Sequence, residues 1–302
     1  MRHNKLLIAA VFMLSLLSCN SVSSKDTNSL LWKVSGNGLE KPSYLFGTHH
    51  LIPLSFLDSV KGLTGAFQST EQTVGELDLS NMGEMQMKLM GESIMPEGVT
   101  YNSLLNEKDV ALLDSTLHNT LGIGLDQLGQ MKPAMITNLL TLTMYQTYYP
   151  KVSQEKSMDE YFQNEAATLF RPVKGLETID DQIYALLNSQ PLERQAEILI
   201  CTIKNPALLK EQMDQMQQAY YAHDLEKIKK LYEEDVPDDP CPATQAEKDV
   251  INKDRNQKWL TELPEIMKEK SSFIAVGCAH LPGKDGLIEG LRAQGFTVEP
   301  VK

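Results

Sequence analysis

The sequence predicts an α/β fold, a pseudo-symmetric sheet built from two strand-Gly-x-x-His units with a large helical insertion between them. Three observations carry this reading. The apolar run Tyr44-Leu45-Phe46 stops at Gly47 with His50 three residues on, and the pattern returns 230 residues later as Phe273-Ile274-Ala275-Val276, Gly277 and His280. Both copies then run into an apolar residue and a proline, Pro53 and Pro282. Such short apolar runs bounded by turn signals are the mark of buried strands. Each unit also continues through a helical pattern into another strand, at residues 72–77 and 296–298. Finally, residues from 81 to about 170 are helical and Met-rich in character, and helical sequence continues to about 270. A glycine at a strand end lets the backbone turn sharply. The histidine after it then projects at the carboxyl edge of the sheet, where open α/β sheets place their ligands. Aligning the copies on Gly47 and Gly277 pairs His50 with His280 and sets His49 opposite Ala279, so His49 reads as a neighbour rather than a principal.

The chain has 302 residues, long enough for one large domain or two small ones, and 42% of it is hydrophobic against 23% charged. That balance supports a packed core rather than disorder. The net charge of −12 argues against nucleic acid, which needs a basic surface, and against adsorption onto anionic lipid by charge. Arg2 and Lys5 precede a 12-residue apolar run at residues 6–17. This is the pattern of a secretory signal and is too short to span a bilayer. Leu16-Leu17-Ser18-Cys19 resembles the lipobox of bacterial lipoproteins. The resemblance implies a signal at residues 1–18, removed on export, and a lipid on Cys19 that holds the protein to a membrane of the cell envelope. The alternative is an ordinary signal with an incidental cysteine. Residues 19–29 are polar and Ser-rich and read as a flexible tether, leaving residues 30–302 as the folded domain.

Leu30-Leu31-Trp32-Lys33-Val34 alternates and ends at Ser35-Gly36-Asn37-Gly38, which predicts a strand in a hairpin with the Tyr44 strand. A helix is expected over residues 54–68 and a strand over 72–77, with Glu76 inside that strand. A strand glutamate is either exposed at an edge or partnered. Pro133 can open a helix whose one face carries Met135, Ile136, Leu139, Leu140 and Met144. Ser157-Met158-Asp159-Glu160 and Thr244-Gln245-Ala246-Glu247 are capping boxes. The first opens a helix expected to bury Tyr161, Phe162 and Leu169. Met82, Met85, Met87 and Met90 read as core filler, or else as a promiscuous binding surface. Residues 172–178 look like a short strand ending at Glu177, with Thr178 capping a helix over 179–187. On the helix opened by Thr244, Ile251, Arg255 and Trp259 fall four apart on one face. Arg255, set in an apolar stripe, needs an anionic partner or a route to water. It reads equally as a structural ion pair and as a contact for a substrate anion. After Pro264 comes the second motif strand.

Paired Gly-x-x-His motifs, with a glutamate on the strand after the first and Arg-Asn on a helix before the second, resemble the TraB/GumN family. That family includes the pheromone-shutdown protein PrgY and the Tiki metalloproteases. The likeness runs from about Leu30 to the C-terminus and rests also on Val74-Gly75-Glu76-Leu77-Asp78, Gly175-Leu176-Glu177-Thr178 and Asp254-Arg255-Asn256. It departs at Met131-Lys132-Pro133-Ala134, where many relatives carry Trp after Lys-Pro, a position that touches no candidate ligand. His50, Glu76 and His280 then make a two-histidine, one-carboxylate set for a divalent metal of the Mn, Co or Zn class. Glu177 can orient a ligand, act as general base or simply pair with a cation. Arg255 can hold a carboxylate or oxyanion, with Asn256 assisting by hydrogen bonding. The resemblance implies metal-dependent hydrolysis of a peptide or protein. The competing readings are peptide or pheromone sequestration without cleavage, and an inert envelope scaffold. With Cys19 assigned to lipid and Cys278 inside a motif, Cys201 and Cys241 are left to form a disulfide in an exported chain, the alternative being three thiols.

Overall fold

The computed structural model describes residues 28–150, 156–236 and 239–302. The signal segment, Cys19 and the tether up to residue 27 lie outside the described residues. Six strands form one mixed sheet: β1 (Leu31–Ser35), β2 (Ser43–Thr48), β3 (Gln72–Gly75), β4 (Val173–Gly175), β5 (Ser272–Gly277) and β6 (Thr297–Pro300), in the order β4-β3-β5-β2-β1-β6. β4, β3, β5 and β2 run parallel, and β1 lies antiparallel between β2 and β6. The register sets Thr48 opposite Gly277, Gly75 opposite Ala275, and Gly75 opposite Gly175. Four strand ends therefore meet at one edge. The two motif strands are neighbours, and their crossovers differ. β2 leads to β3 past β5, whereas β5 leads to β6 past β2 and the inserted β1.

The helices are α1 (Leu63–Ser69), α2 (Met82–Glu92), α3 (Tyr101–Leu104), α4 (Glu107–Leu121), α5 (Leu125–Leu128), α6 (Pro133–Tyr148), α7 (Met158–Thr168) and α8 (Ile179–Ile183). After them come α9 (Leu192–Lys204), α10 (Pro206–Tyr221), α11 (Leu225–Glu233), α12 (Gln245–Ile251), α13 (Lys253–Glu269) and α14 (Leu287–Ala293). Two cores result. The first packs α1, α7, α10, α11, α13 and α14 against the sheet, around Phe46, Phe67, Phe162 and Phe273. The Phe162 and Phe273 rings sit 4.7 Å apart and the Phe67 and Phe273 rings 5.2 Å apart, in the tilted and edge-on geometries aromatic pairs prefer. The second core joins α4, α6 and α9 through Leu113, Leu117, Ile136, Leu140, Leu199 and Ile200. The insertion is thus not one helical lobe: α7, α10, α11 and α13 belong to the sheet, and β4 extends it.

Several expectations change in detail. The helix over 54–68 is a 3₁₀ turn (Leu54–Ser59) followed by α1, parted at Gly62, whose φ of 76° suits glycine. The strand over 72–77 ends at Gly75, so Glu76 stands just beyond it. Leu169 is exposed at the end of α7. The helix opened by Thr244 breaks at Asn252, where φ is −125° and ψ −69°, so Arg255 and Trp259 lie on α13. α13 runs on through Pro264. A proline inside a helix deprives the carbonyl four residues earlier of its donor, and here Gln294 Nε2 donates to the Leu260 carbonyl at 2.8 Å instead. The methionine stripe is not core filler: α2 buries no residue, and Met82, Met87 and Met90 are 53%, 71% and 61% exposed. Among the described residues, no helix is long and apolar enough to cross a membrane.

Cys201 on α9 and Cys241 are joined by a disulfide across 40 residues, with Cα atoms 6.3 Å apart, and Cys278 is a buried thiol. Closing a loop of that length stabilises by about 4 kcal/mol in the chain-entropy account. Reduction, or Cys241→Ser, is expected to lower the free energy of unfolding by about 2–4 kcal/mol. The check is the denaturant midpoint with and without reductant, and equal midpoints would contradict it.

Candidate functional site

The four strand ends at the sheet edge bring the predicted residues together. His50 follows β2, Glu76 follows β3, Glu177 follows β4 and His280 follows β5, while α13 supplies Arg255 and Asn256. Arg255 is the hub. Its Nε and Nη2 donate to the two carboxylate oxygens of Glu177 at 3.0 and 2.7 Å, and Nη2 also donates to Glu76 Oε2 at 2.6 Å. Nη1 donates to the Ile251 carbonyl at 3.1 Å and lies 3.2 Å from His280 Nε2. The guanidinium also lies 4.9 Å over the Trp259 ring, a cation–π contact. This satisfies a charge buried in an apolar stripe.

Glu76 spends its other oxygen on the Gly277 N–H, 2.8 Å away. A Cβ on Gly277 would come within 3.2 Å of that oxygen, so the motif glycine allows this close approach. Tyr220 holds the other motif glycine, donating from its hydroxyl to the Gly47 carbonyl at 2.9 Å. Asn256 is fully buried and donates from Nδ2 to Asn252 Oδ1, Asp285 O and His280 O. Its Oδ1 therefore accepts from His280 Nδ1 at 2.8 Å, which places the proton on Nδ1 and makes Nε2 the lone-pair nitrogen that Arg255 faces. His50 is arranged alike. Its Nδ1 lies 2.8 Å from Asp159 Oδ2, and Thr48 donates to Asp159 Oδ1 at 2.8 Å. His50, Glu76, Asp159 and Arg255 line a cavity of about 350 Å³ whose other wall includes Leu79, Met82 and Leu186.

The electrostatics separate the two histidines. Burial lowers His280 to about 4, so it is neutral near pH 7. The hydrogen bond to Asp159 and that group's charge push His50 up to about 9. The His50 side chain is 64% exposed, so solvent screens the pair on its outer side. Burial opposes ionisation of Glu76, but the charges of His280, Arg255 and His50 and the Gly277 N–H hold it down at about 2. With His280 neutral, Arg255 is the lasting partner. Because His50 lies above its ordinary value of 6.5, the pair's stabilisation is full below that pH and is lost as pH rises through about 9. The stability gap between the protein and Asp159→Asn, small because solvent screens the pair, is therefore expected to narrow across that window. Thermal unfolding of metal-free protein at successive pH values would show it, and a gap undiminished at high pH would contradict it.

The TraB/PrgY/gumN family profile matches residues 30–300. The chain belongs to the TraB/PrgY/gumN family. A relative within that likeness is the Metalloprotease TIKI2 of Danio rerio, 22% identical over 326 residues, an alignment covering 92% of this chain and 62% of the relative. The chain thus spans less than two thirds of that relative's length. No solved structure matches it.

For a TraB/PrgY/gumN protein related to a metalloprotease, a divalent metal is the group to test against these residues. The donor types fit. His280 is neutral, its Nδ1 is anchored, and its Nε2 lies 3.9 Å from Glu76 Oε1. The packing around them is closed by Arg255. Among the described residues, no three His, Cys, Asp or Glu side chains are disposed to hold a metal ion together. Glu177, with a side chain 1% exposed and both oxygens on Arg255, takes the cation-pairing place among the roles the sequence offers it. Asn256 touches His280 and backbone, so it positions the imidazole and does not reach the cavity. His49 packs its ring edge-on to Tyr220 at 5.2 Å and accepts the Leu51 N–H at Nδ1, a structural place. Sequence reasoning missed Thr48 and Asp159. Asp159 was legible only as a capping-box residue, although its aspartate in the first turn of α7 was a signal in plain view.

Proposed function

We propose that this protein is a metal-dependent hydrolase of peptide-type bonds, with His50, Glu76 and His280 as the residues that would hold a divalent metal of the Mn, Co or Zn class. The observation that carries the reading is the matched anchoring of both motif histidines by side-chain acceptors on Nδ1, beside a carboxylate held ionised. Imidazole ligands are ordinarily oriented in this way. The family and the TIKI2 relative point the same way. When bound, the metal would supply Lewis acidity and an activated water at neutral pH. The chain's own groups do the rest. Glu177 aims Arg255, Arg255 keeps Glu76 charged and offers a cation to a substrate carboxylate or developing oxyanion, and Asn256 fixes the His280 tautomer. In this reading the two motif units act as pseudo-symmetric halves, one imidazole from each. The test is metal analysis of the purified protein together with peptide-library digestion read by mass spectrometry. Bound metal with metal-dependent cleavage is the expected result.

Peptide sequestration without cleavage is the second reading. Arg255 against His280 Nε2 favours it, as does Met82, which adds an exposed thioether to the cavity wall. Peptide binding without product under any added metal would establish it. We further propose residues 1–18 as a lipoprotein signal, Cys19 as the lipidated anchor, residues 19–29 as the tether, and the domain as lying in the cell envelope beyond the cytoplasm. Labelled lipid should enter the protein and be lost in Cys19→Ser.

A further inference from the structure

We propose that Asp159, gripped by Thr48, is the positioning residue that fixes His50 with its proton on Nδ1 and Nε2 as its working nitrogen. The inference rests on the reading above only in treating His50 as a working residue.

The geometry has three parts. Asp159 uses both oxygens, Oδ2 toward His50 Nδ1 and Oδ1 toward the Thr48 hydroxyl, each at 2.8 Å. Two hydrogen bonds to one carboxylate set its plane, and the plane sets the imidazole. Thr48 is 1% exposed and ends β2, so the grip is built into the sheet. Asp159 sits in the first turn of α7, behind the Ser157 cap that accepts the Glu160 N–H at 3.2 Å. That end of the helix favours a negative charge. The second motif solves the same problem with other parts, since Asn256 of α13 holds His280 Nδ1. Two unrelated helices thus deliver an acceptor to the same ring atom of each motif histidine.

A purely stabilising role fits these observations poorly. The His50 side chain is 64% exposed, and exposed ion pairs contribute little stability. Pinning Asp159 through a buried threonine is what orientation at a cavity rim requires. Groups of this kind typically change metal affinity or activity by about 10- to 100-fold when removed.

The experiment is nitrogen-15 NMR of the imidazoles in the full folded protein without metal, at a pH where His50 is neutral. Wild type is expected to carry the His50 proton on Nδ1. Asp159→Ala is expected to move it to Nε2, the tautomer water ordinarily favours, while His280 keeps its Nδ1 proton and serves as the internal control. Asp159→Asn keeps its amide oxygen on the Thr48 hydroxyl and turns its amide nitrogen, a donor, toward His50 Nδ1, so this variant too is expected to move the proton to Nε2. Turnover of any peptide that the wild type cleaves should fall about 10- to 100-fold in Asp159→Ala, with KM little changed. A wild-type neutral His50 with its proton on Nε2 overturns the proposal, and that spectrum decides alone if Asp159→Ala does not fold. An Asp159→Ala ring that keeps the Nδ1 proton overturns it too. The expected tautomers in a protein that cleaves nothing would sustain the role of Asp159 and count against the hydrolase reading.

Discussion

Arg255→Met is expected to lower the free energy of unfolding by about 3–5 kcal/mol, the usual cost of stranding buried charge by removing one partner of an ion pair. The Glu177 side chain is 1% exposed and the Glu76 side chain 11%, and both carboxylates lean on this guanidinium. Methionine restores the packing against Trp259 and offers no donor. Both buried carboxylates are then left without the cation that offsets their desolvation. Glu177 suffers more, because both of its oxygens bond Arg255, whereas Glu76 keeps the Gly277 N–H. Adding Glu177→Gln to Arg255→Met should therefore recover part of the loss, and Glu76→Gln should recover less. Denaturant unfolding of the single and double variants measures this. A loss below about 1 kcal/mol, the range of exposed ion pairs, would show that the cluster is not the buried hub its geometry describes.

The sequence already displayed much of this arrangement, for reasons that differ from residue to residue. Gly47 and Gly277 are visible because each ends an apolar run, and a strand followed by glycine is a local pattern. That the two strands pair in parallel, Thr48 opposite Gly277, is not local, yet the repeated motif makes it a reasonable expectation. Arg255 stands out because a cation in an apolar stripe demands an explanation. Its partners could not be read, since Glu76 and Glu177 lie 179 and 78 residues away in the chain.

The failures share a cause. The chain breaks at Asn252 because its side chain is drawn to the second motif, donating to the Ala279 carbonyl at 2.8 Å. A helix periodicity carries no trace of that pull. That α13 runs on through Pro264 is not legible either, because the donor that rescues the Leu260 carbonyl comes from Gln294, beyond α14. Asp159 looks like part of a helix start because it lies between Ser157 and Glu160, whereas its partner His50 is 109 residues away in the chain. Met82, Met87 and Met90 look like core because hydrophobicity reports what a residue prefers and not whether a neighbour arrives to cover it. Among the described residues no element covers them: α2 buries no side chain, and Met82 stands at the cavity.

His50→Ala and His280→Ala are each expected to cut hydrolysis by about 10²–10⁴-fold, the range for losing a positioned group that acts in the transition state. Both are expected to reduce metal stoichiometry, because each removes one of the two imidazoles in the proposed set of three ligands. His49→Ala separates this from a general disturbance of the loop. The His49 ring packs on Tyr220 and accepts only the Leu51 N–H, so its loss should cost about 1 kcal/mol of stability and leave turnover near wild type. The two motif variants should differ in folding. His280 is buried beneath Arg255 and beside Trp259, with ring centroids 4.5 Å apart, whereas the His50 side chain is 64% exposed. His280→Ala opens a void and should destabilise, while His50→Ala should unfold close to wild type. His50→Ala is thus the sharper test of chemistry, with circular dichroism as the folding control and metal content measured on the same sample. A folded His50→Ala that keeps both metal and full cleavage would remove His50 from the centre, and with it the matched pair of anchored imidazoles on which the hydrolase reading stands.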